Sequence, residues 1–368
     1  MIGSLPLSAP QLESRIVPAL QAIEDRLMEV VTSADETINP PTSHLAEAGG
    51  KRLRPVLALL TAQLGDPALA TGDQIRDAGV AVELTHIATL YHDDVMDEAP
   101  LRRGAPSAQT VWGNSAAILT GDVLVARACQ LVAALGPEAV LAHAKTFERL
   151  CMGQLHETLP RPSGTDPVDH YIQVLADKTG SLIAVSARYG AMLTDAGARA
   201  ERIVEDFGEK IGVAFQLADD VIDLTSDSAT TGKTPGTDLR EGVDTMPVLL
   251  LRKALAAGEL DAAGQAILSR LSTGDLSDDA FLADVVARLR EHPVLARTRE
   301  MAMAWAAEAV QGLEGIEEAV LDATKERLAK AGVEGEAAAA VLTDAGERVV
   351  QVRAAMEDFA RILVDRAA

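Results

Sequence analysis

ELTHIATLYHDDVMDEAPLRRG, residues 83–104, carries an apolar helical pattern into a cluster of carboxylates, Asp93-Asp94-Val95-Met96-Asp97. The same form, D-D-x-x-D, returns 126 residues later at Asp219-Asp220-Val221-Ile222-Asp223, again in apolar surroundings. On a helix, residues four apart share a face, so Asp93 with Asp97, and Asp219 with Asp223, project as pairs. Like charges so placed repel and do nothing for helix stability. The pattern asks for a cation, and oxygen ligands without imidazole or thiolate companions suit Mg²⁺. A lone acidic cluster is often only a solvated face. A calcium loop needs alternating ligands over about twelve residues ending in glutamate, and those are absent. It is the repetition that argues for a site: two such clusters can face each other across a helix bundle, where metal sites are commonly built.

The rest of the chain reads as all-α. Of its 368 residues 48% are hydrophobic but only 3% aromatic, a composition that favours helices over strands. Leu12, Ile16, Leu20, Ile23, Leu27 and Val31 recur at helical spacing and predict a helix over 11–34. A polar loop with Pro40 and Pro41 is expected next, then helices near 51–64 and 72–96. Residues 98–107 read as a loop. Further helices are predicted at about 107–135, 137–157, 168–193 and 198–225. Residues 226–244 read as a long loop of the kind that usually has a function. The remainder is helical, with breaks near Gly258, Gly274, His292-Pro293 and 332–335.

A formal net charge of −22 argues against non-specific nucleic-acid binding and against docking on an anionic membrane by charge. Cys129 and Cys151 lie in apolar helical contexts without metal-type spacing and read as reduced core residues. The N-terminus lacks a basic start followed by an apolar run. The stretch 104–121 is broken by Pro106, Ser107, Gln109 and Asn114, and 115–142 by Asp122, Arg127 and Glu138. No integral membrane segment and a cytoplasmic location are the expectations.

Against this acidity, clustered cations stand out. Arg102-Arg103-Gly104 follows Asp97 within a few residues, where carboxylate, metal and guanidinium together suit a phosphate group. Lys51 and Arg54 share a face just after Gly49-Gly50. Lys178-Thr179-Gly180 interrupts an apolar helix, and Gln216, Lys233 and Asp238 accompany the second aspartate cluster. Alone, Lys178 reads better as a lysine snorkelling at a helix end, and His86 as a core histidine. Together with the aspartates the cations point to diphosphate binding, and His86, two turns before Asp93 on roughly the same face, points to a substrate hydrogen bond.

These residues carry a resemblance. GGKRLRP (49–55), ELTHIATLYHDDVMDEAPLRRG (83–104), GNSAAILTGD (113–122), DKTG (177–180), FQLADDVIDLTSD (215–227) and GKTPGTDLREG (232–242) stand in the order found in trans-isoprenyl diphosphate synthases, the polyprenyl synthetase family. The resemblance covers roughly 10–315 and implies an all-α isoprenoid synthase bundle around a deep central cavity, as a single domain over 1–368. Residues 316–350, acidic and alanine-rich, are additional to a compact member and are taken as an inserted helical hairpin. The implied reaction ionises an allylic diphosphate, adds isopentenyl diphosphate to the cation head-to-tail, and releases a proton. Two to three Mg²⁺ ions are implied, with Asp93, Asp97 and Asp219 as principal ligands and Asp94, Asp220 and Asp223 acting directly or through metal-bound water. Arg102, Lys178 and Lys233 would hold the allylic diphosphate, and Thr179 and Gln216 would stabilise the cation. Lys51, Arg54, His86 and Arg103 would hold the isopentenyl diphosphate. A homodimer is also implied. One departure is Val243, where a second lysine is usual; either Arg240 compensates or the allylic site is weaker.

Thr85, Ala88 and Thr89, eight, five and four residues before Asp93, bear on product length. In short-chain members bulky aromatics at the last two positions form a floor; here both are small, so a product longer than fifteen carbons is expected, similar to long-chain polyprenyl enzymes. A C20 product is the alternative. A class I terpene cyclase would pair D-D-x-x-D with a different second motif and lack R-R-G and G-G-K-R-x-R-P. Squalene and phytoene synthases use D-x-x-x-D pairs, and a regulatory subunit of a two-component synthase usually loses aspartate motifs that this chain keeps.

Overall fold

In the computed structural model the described residues are 10–225 and 235–365. Their regular structure is helical apart from one short two-stranded ribbon, and they fall into two compact units.

The first unit comprises Met1–Glu148, Ser181–Gly208 and Val310–Phe359. Its helices are α1 (Pro10–Val31), α2 (Asn39–Glu47), α3 (Leu53–Ala62), α4 (Asp73–Met96), α5 (Ala108–Trp112) and α6 (Asn114–Ala134), followed by the start of α7 (Pro137–Thr158). α9 (Ser181–Met192) and the start of α10 (Ala198–Thr225) complete it with the C-terminal helices described below. All six apolar residues of the α1 stripe are buried, 0–4% exposed. Burial of each such side chain contributes about 1.5–3 kcal/mol, which is why this helix is legible from its spacing alone. α4 packs against α1, α3, α6 and α9.

Three local differences from the sequence reading have clear causes. The expected Pro40–Pro41 loop is largely helix α2, since proline is tolerated in a first helical turn where its missing N–H has no intrahelical partner. The expected helix over 107–135 is split at Gly113, whose φ of 83° ends α5 in a conformation that other residues rarely adopt. The loop at 98–107 contains an antiparallel ribbon pairing Leu101–Arg102 with Ala105–Pro106.

Cys129 and Cys151 are exposed, not core residues: each lies off the buried stripe of its helix. By length and composition α6 is apolar enough to cross a membrane, despite Asp122 and Arg127. In this unit it packs on α4, with Leu124, Ala128 and Val132 buried, while Arg127 donates to the carbonyls of Val30 and Val31 at 2.8 Å each.

The second unit comprises Arg149–Gly180, Glu209–Ala309 and Ala360–Ala368. It contains the end of α7, α8 (Pro167–Leu175), a π turn (Ala176–Gly180), the end of α10, a short α11 (Thr237–Arg240), α12 (Met246–Ala257), α13 (Ala262–Thr273), α14 (Asp279–Glu291) and most of α15 (Pro293–Gln311). The helix predicted over 168–193 is thus interrupted where Lys178-Thr179-Gly180 had suggested. The C-terminal pair is α16 (Ile316–Lys330) and α17 (Gly335–Asp365), the latter running well past the expected 350.

Candidate functional site

The first unit assembles a cationic cluster around one buried glutamate. Glu83 on α4 is 2% exposed and accepts from Arg52 Nη1 at 2.8 Å, with Arg103 Nη2 at 3.9 Å. Arg52 also donates to both oxygens of Glu24 at 2.7 Å. Burial works against its charge, yet Glu24 and Glu83 hold its pKa above the ordinary arginine value. Arg52 lies at a positive φ of 52° just before α3, so Lys51, exposed, and Arg54, half-buried, leave it as the inward member of the K-R-L-R run. Burial pushes the Arg54 guanidinium down to about 10, and its Nε is buried without a hydrogen-bond partner among the described residues. Arg103 donates to the carbonyls of Leu45 and Gly49. His86 is half-buried, and burial followed by the charges of Arg54, Arg103, Arg102 and Arg52 depresses its pKa well below the ordinary value. The residues expected for isopentenyl diphosphate, His86, Arg54 and Arg103, therefore share one electropositive environment.

At the end of α4 the three aspartates differ. Asp97 is exposed and Asp93 half-buried, while Asp94 is fully buried and accepts from Arg102 Nε at 2.6 Å. Burial raises the Asp94 pKa and Arg102 opposes it. Asp94 Oδ2 has no hydrogen-bond partner among the described residues. Arg102, expected on a phosphate, is thus half-buried against Asp94. Of the expected chain-length residues, Thr85 and Ala88 are buried and Thr89 is half-buried; the two hydroxyls bond to the carbonyls of Ala81 and His86.

In the second unit the pattern repeats. Asp219 and Asp223 are half-buried, while Asp220 is 4% exposed and takes Tyr171 Oη at 3.1 Å and the Met246 N–H at 3.1 Å. Burial drives the Asp220 carboxyl well above the usual carboxylate range, with the Met246 N–H opposing. In both clusters the first and last carboxylates are the more accessible and the second is an anchor, as the 100° step between helical neighbours requires. Lys178, half-buried in the π turn, pairs with Glu157 at 2.5 Å; Thr179 beside it is buried and Gln216 half-buried. Lys233 lies outside the described residues. Arg240, weighed as a substitute for the lysine absent at Val243, pairs with Asp279 at 2.5 Å.

Among the described residues no three His, Cys, Asp or Glu side chains converge as a metal cage. The donors fit Mg²⁺ on other grounds: it takes one or two carboxylates and completes its octahedron with water and substrate phosphate, which is what an outward pair of aspartates offers. Sequence reasoning missed Glu24, Arg52, Glu83 and Tyr171. Only Arg52 and Glu83 lay inside motifs already singled out; the others act through partners distant in sequence.

Comparison with known proteins agrees with this picture. The profile of the polyprenyl synthetase family matches residues 35–272. A nonaprenyl diphosphate synthase of Mycobacterium tuberculosis is 44% identical over 84% of this chain and 90% of its own length. Heptaprenyl diphosphate synthase component 2 of Geobacillus stearothermophilus is 34% identical over 81% and 89%. Among solved structures, a geranylgeranyl pyrophosphate synthase of Corynebacterium glutamicum, complexed with calcium and isoprenyl diphosphate, superposes with a TM-score of 0.75 at 34% identity, covering 98% of this chain and 99% of the other.

Proposed function

The chain belongs to the polyprenyl synthetase family, and from that premise we propose that it condenses isopentenyl diphosphate with an allylic diphosphate, in the presence of Mg²⁺, to a product longer than C15. It is a prenyl diphosphate synthase by descent; the residue roles and chain length are our reading. The observation that carries it is the shared build of the two aspartate clusters, each with a buried second carboxylate and more accessible outer ones.

Asp93, Asp97 and Asp219 are the proposed Mg²⁺ ligands, with Asp223 assisting. Bound Mg²⁺ supplies charge that stabilises the departing diphosphate. Asp94 and Asp220 hold the clusters to the protein. Lys178 and Lys233 take the allylic diphosphate, joined by Arg102 on release from Asp94; fixed cations aimed at the leaving oxygens favour the charge developing there. Thr179 and Gln216 face the cationic carbon. Arg54, whose Nε lacks a partner among the described residues, with Lys51, Arg103 and His86, takes the isopentenyl diphosphate. A water-poor apolar tail site protects the cation from quenching. No protein base is assigned, and the leaving diphosphate collects the proton.

Small side chains at Ala88 and Thr89 and the nonaprenyl relative support a long product; the geranylgeranyl relative keeps C20 as the alternative. The heptaprenyl component relative favours a second reading, one subunit of a two-component synthase. Exposed Val111, Ile118, Leu119 and Val123 on α5 and α6 support a homodimer, and two free thiols suit the cytosol. Purified chain incubated with Mg²⁺, isopentenyl diphosphate and C5 to C20 primers should give products beyond C15 by mass spectrometry and sediment as a dimer. A C15 ceiling would overturn the chain-length reading, and no elongation by the chain alone would favour the two-component reading.

A further inference from the structure

Lys178 and Thr179 stand on the π turn Ala176–Gly180, and within the second unit this turn is gripped from several sides. Arg149 on α7 donates from Nε to Asp177 Oδ1 at 2.7 Å and from Nη1 to Glu209 Oε2 at 2.5 Å. The other Asp177 oxygen takes Gln173 Nε2 at 2.9 Å. The backbone is pressed close as well. A Cβ at Gly153 on α7 would come within 2.7 Å of the Lys178 nitrogen, and one at Gly180 within 2.9 Å of the Glu209 carbonyl oxygen. The turn thus sits where only glycine admits it, and Arg149 bridges its acid to α10.

A π turn holds one residue more than the regular helix and is a local alternative to it. If it relaxed by one residue, Lys178 would swing by about 100° around the helix. Asp177 adjoins Lys178 and cannot follow such a swing without losing both side-chain bonds.

We propose that Arg149 is a positioning residue for prenyl transfer: by holding Asp177 and Glu209 together it fixes the register of the π turn, and so where the Lys178 ammonium and Thr179 hydroxyl stand. The proposal rests on the reading that Lys178 meets the allylic diphosphate. In this role Arg149 acts through Asp177 and not by meeting substrate. Its side chain is 35% exposed while that of Asp177 is only 11% exposed, so losing Arg149 also costs stability, and melts beside the kinetics separate that cost from a loss of position.

The test uses the full chain, with Arg149→Gln, Arg149→Lys and Lys178→Ala compared with the parent in steady-state kinetics, using isopentenyl diphosphate, a C15 allylic diphosphate and Mg²⁺, beside thermal melts. Misplacing a reacting group by about 1 Å can cost roughly a hundredfold. Arg149→Gln should therefore lower kcat about ten- to a hundredfold while the KM for isopentenyl diphosphate stays within about twofold. Arg149→Lys, able to hold only one of the two acids, should recover part of the loss. Parental kcat in Arg149→Gln beside an impaired Lys178→Ala overturns the role of Arg149 alone. A silent Lys178→Ala overturns the reading of Lys178 and this proposal with it. A parallel loss of kcat, isopentenyl diphosphate KM and melting temperature assigns Arg149 to general stability and also overturns it. Should Arg149→Gln not fold, Asp177→Asn, which keeps the shape and drops the charge, faces the same criteria.

Discussion

At the scale of single residues, the cationic cluster has a consequence for acid stability. His86 is held below the ordinary histidine pKa by burial and by four arginines, and burial alone depresses His143, whose ring nitrogens have no partner among the described residues. A depressed folded-state pKa means that the unfolded chain binds protons more readily. The stabilising contribution is therefore present above the unfolded value near 6.5 and is lost as pH falls below it. Each such group steepens the fall by at most about 1.4 kcal/mol per pH unit. His86→Gln should leave urea midpoints at pH 7.5 nearly unchanged and flatten their decline between pH 6.5 and 5; an unaltered slope would mean that His86 is free to protonate. The same residues show what a sequence conceals. Lys51, Arg54 and Arg103 drew notice because clustered cations are conspicuous in so acidic a chain, and His86 because of its register with Asp93. Arg52 was not assigned a role, because only tertiary structure brings Glu24 and Glu83 to it.

At the scale of elements, periodicity was a good guide where a helix buries one continuous stripe, as α1 does, and where glycine or proline ends it. It failed at α2, because Asn39-Pro40-Pro41 resembles a loop until proline's tolerance in a first turn is considered. The aspartate clusters were legible as paired faces. Their asymmetry was legible in principle from the helical step, but the donors Arg102, Tyr171 and Met246 were not. Helix α4 carries its own prediction. Ala88 is fully buried, which fits either a tunnel wall that closes around no ligand or a packed core. Ala88→Phe separates the two. If the position lines the tail site, mass spectrometry should show shorter products with stability kept. If it faces packed core, overpacking should cost about 1–3 kcal/mol with product length unchanged, and the chain-length role of Ala88 falls.

At the scale of the whole molecule, the C-terminal helices decide how the chain closes on itself. Read from sequence, 316–350 were an insertion with no evident purpose. In the first unit their inner faces are buried through Ile316, Val320, Val349, Val352 and Phe359. Arg348, 6% exposed, donates from Nε to the Gln63 carbonyl at 3.1 Å and from Nη2 to the Gly65 carbonyl at 3.2 Å, satisfying the end of α3 from almost 300 residues away. Arg327 donates to the exposed Asp195 carbonyl at 2.9 Å, in the turn after α9. Carbonyls at a helix end need such partners when water is kept out. The signal was absent from the sequence because it depends on two arginines among 33 basic residues finding backbone oxygens, not on any motif. We therefore expect Arg348→Met to lower stability by about 2 kcal/mol, the order of two lost bonds to buried carbonyls, and so to lower the melting temperature by several degrees. A dispensable insertion would tolerate the change without any shift. A substantial shift would make α17 a structural part of the unit that carries Asp93 and the cationic cluster, and would explain why truncation near 335 should remove the fold and not merely a tail.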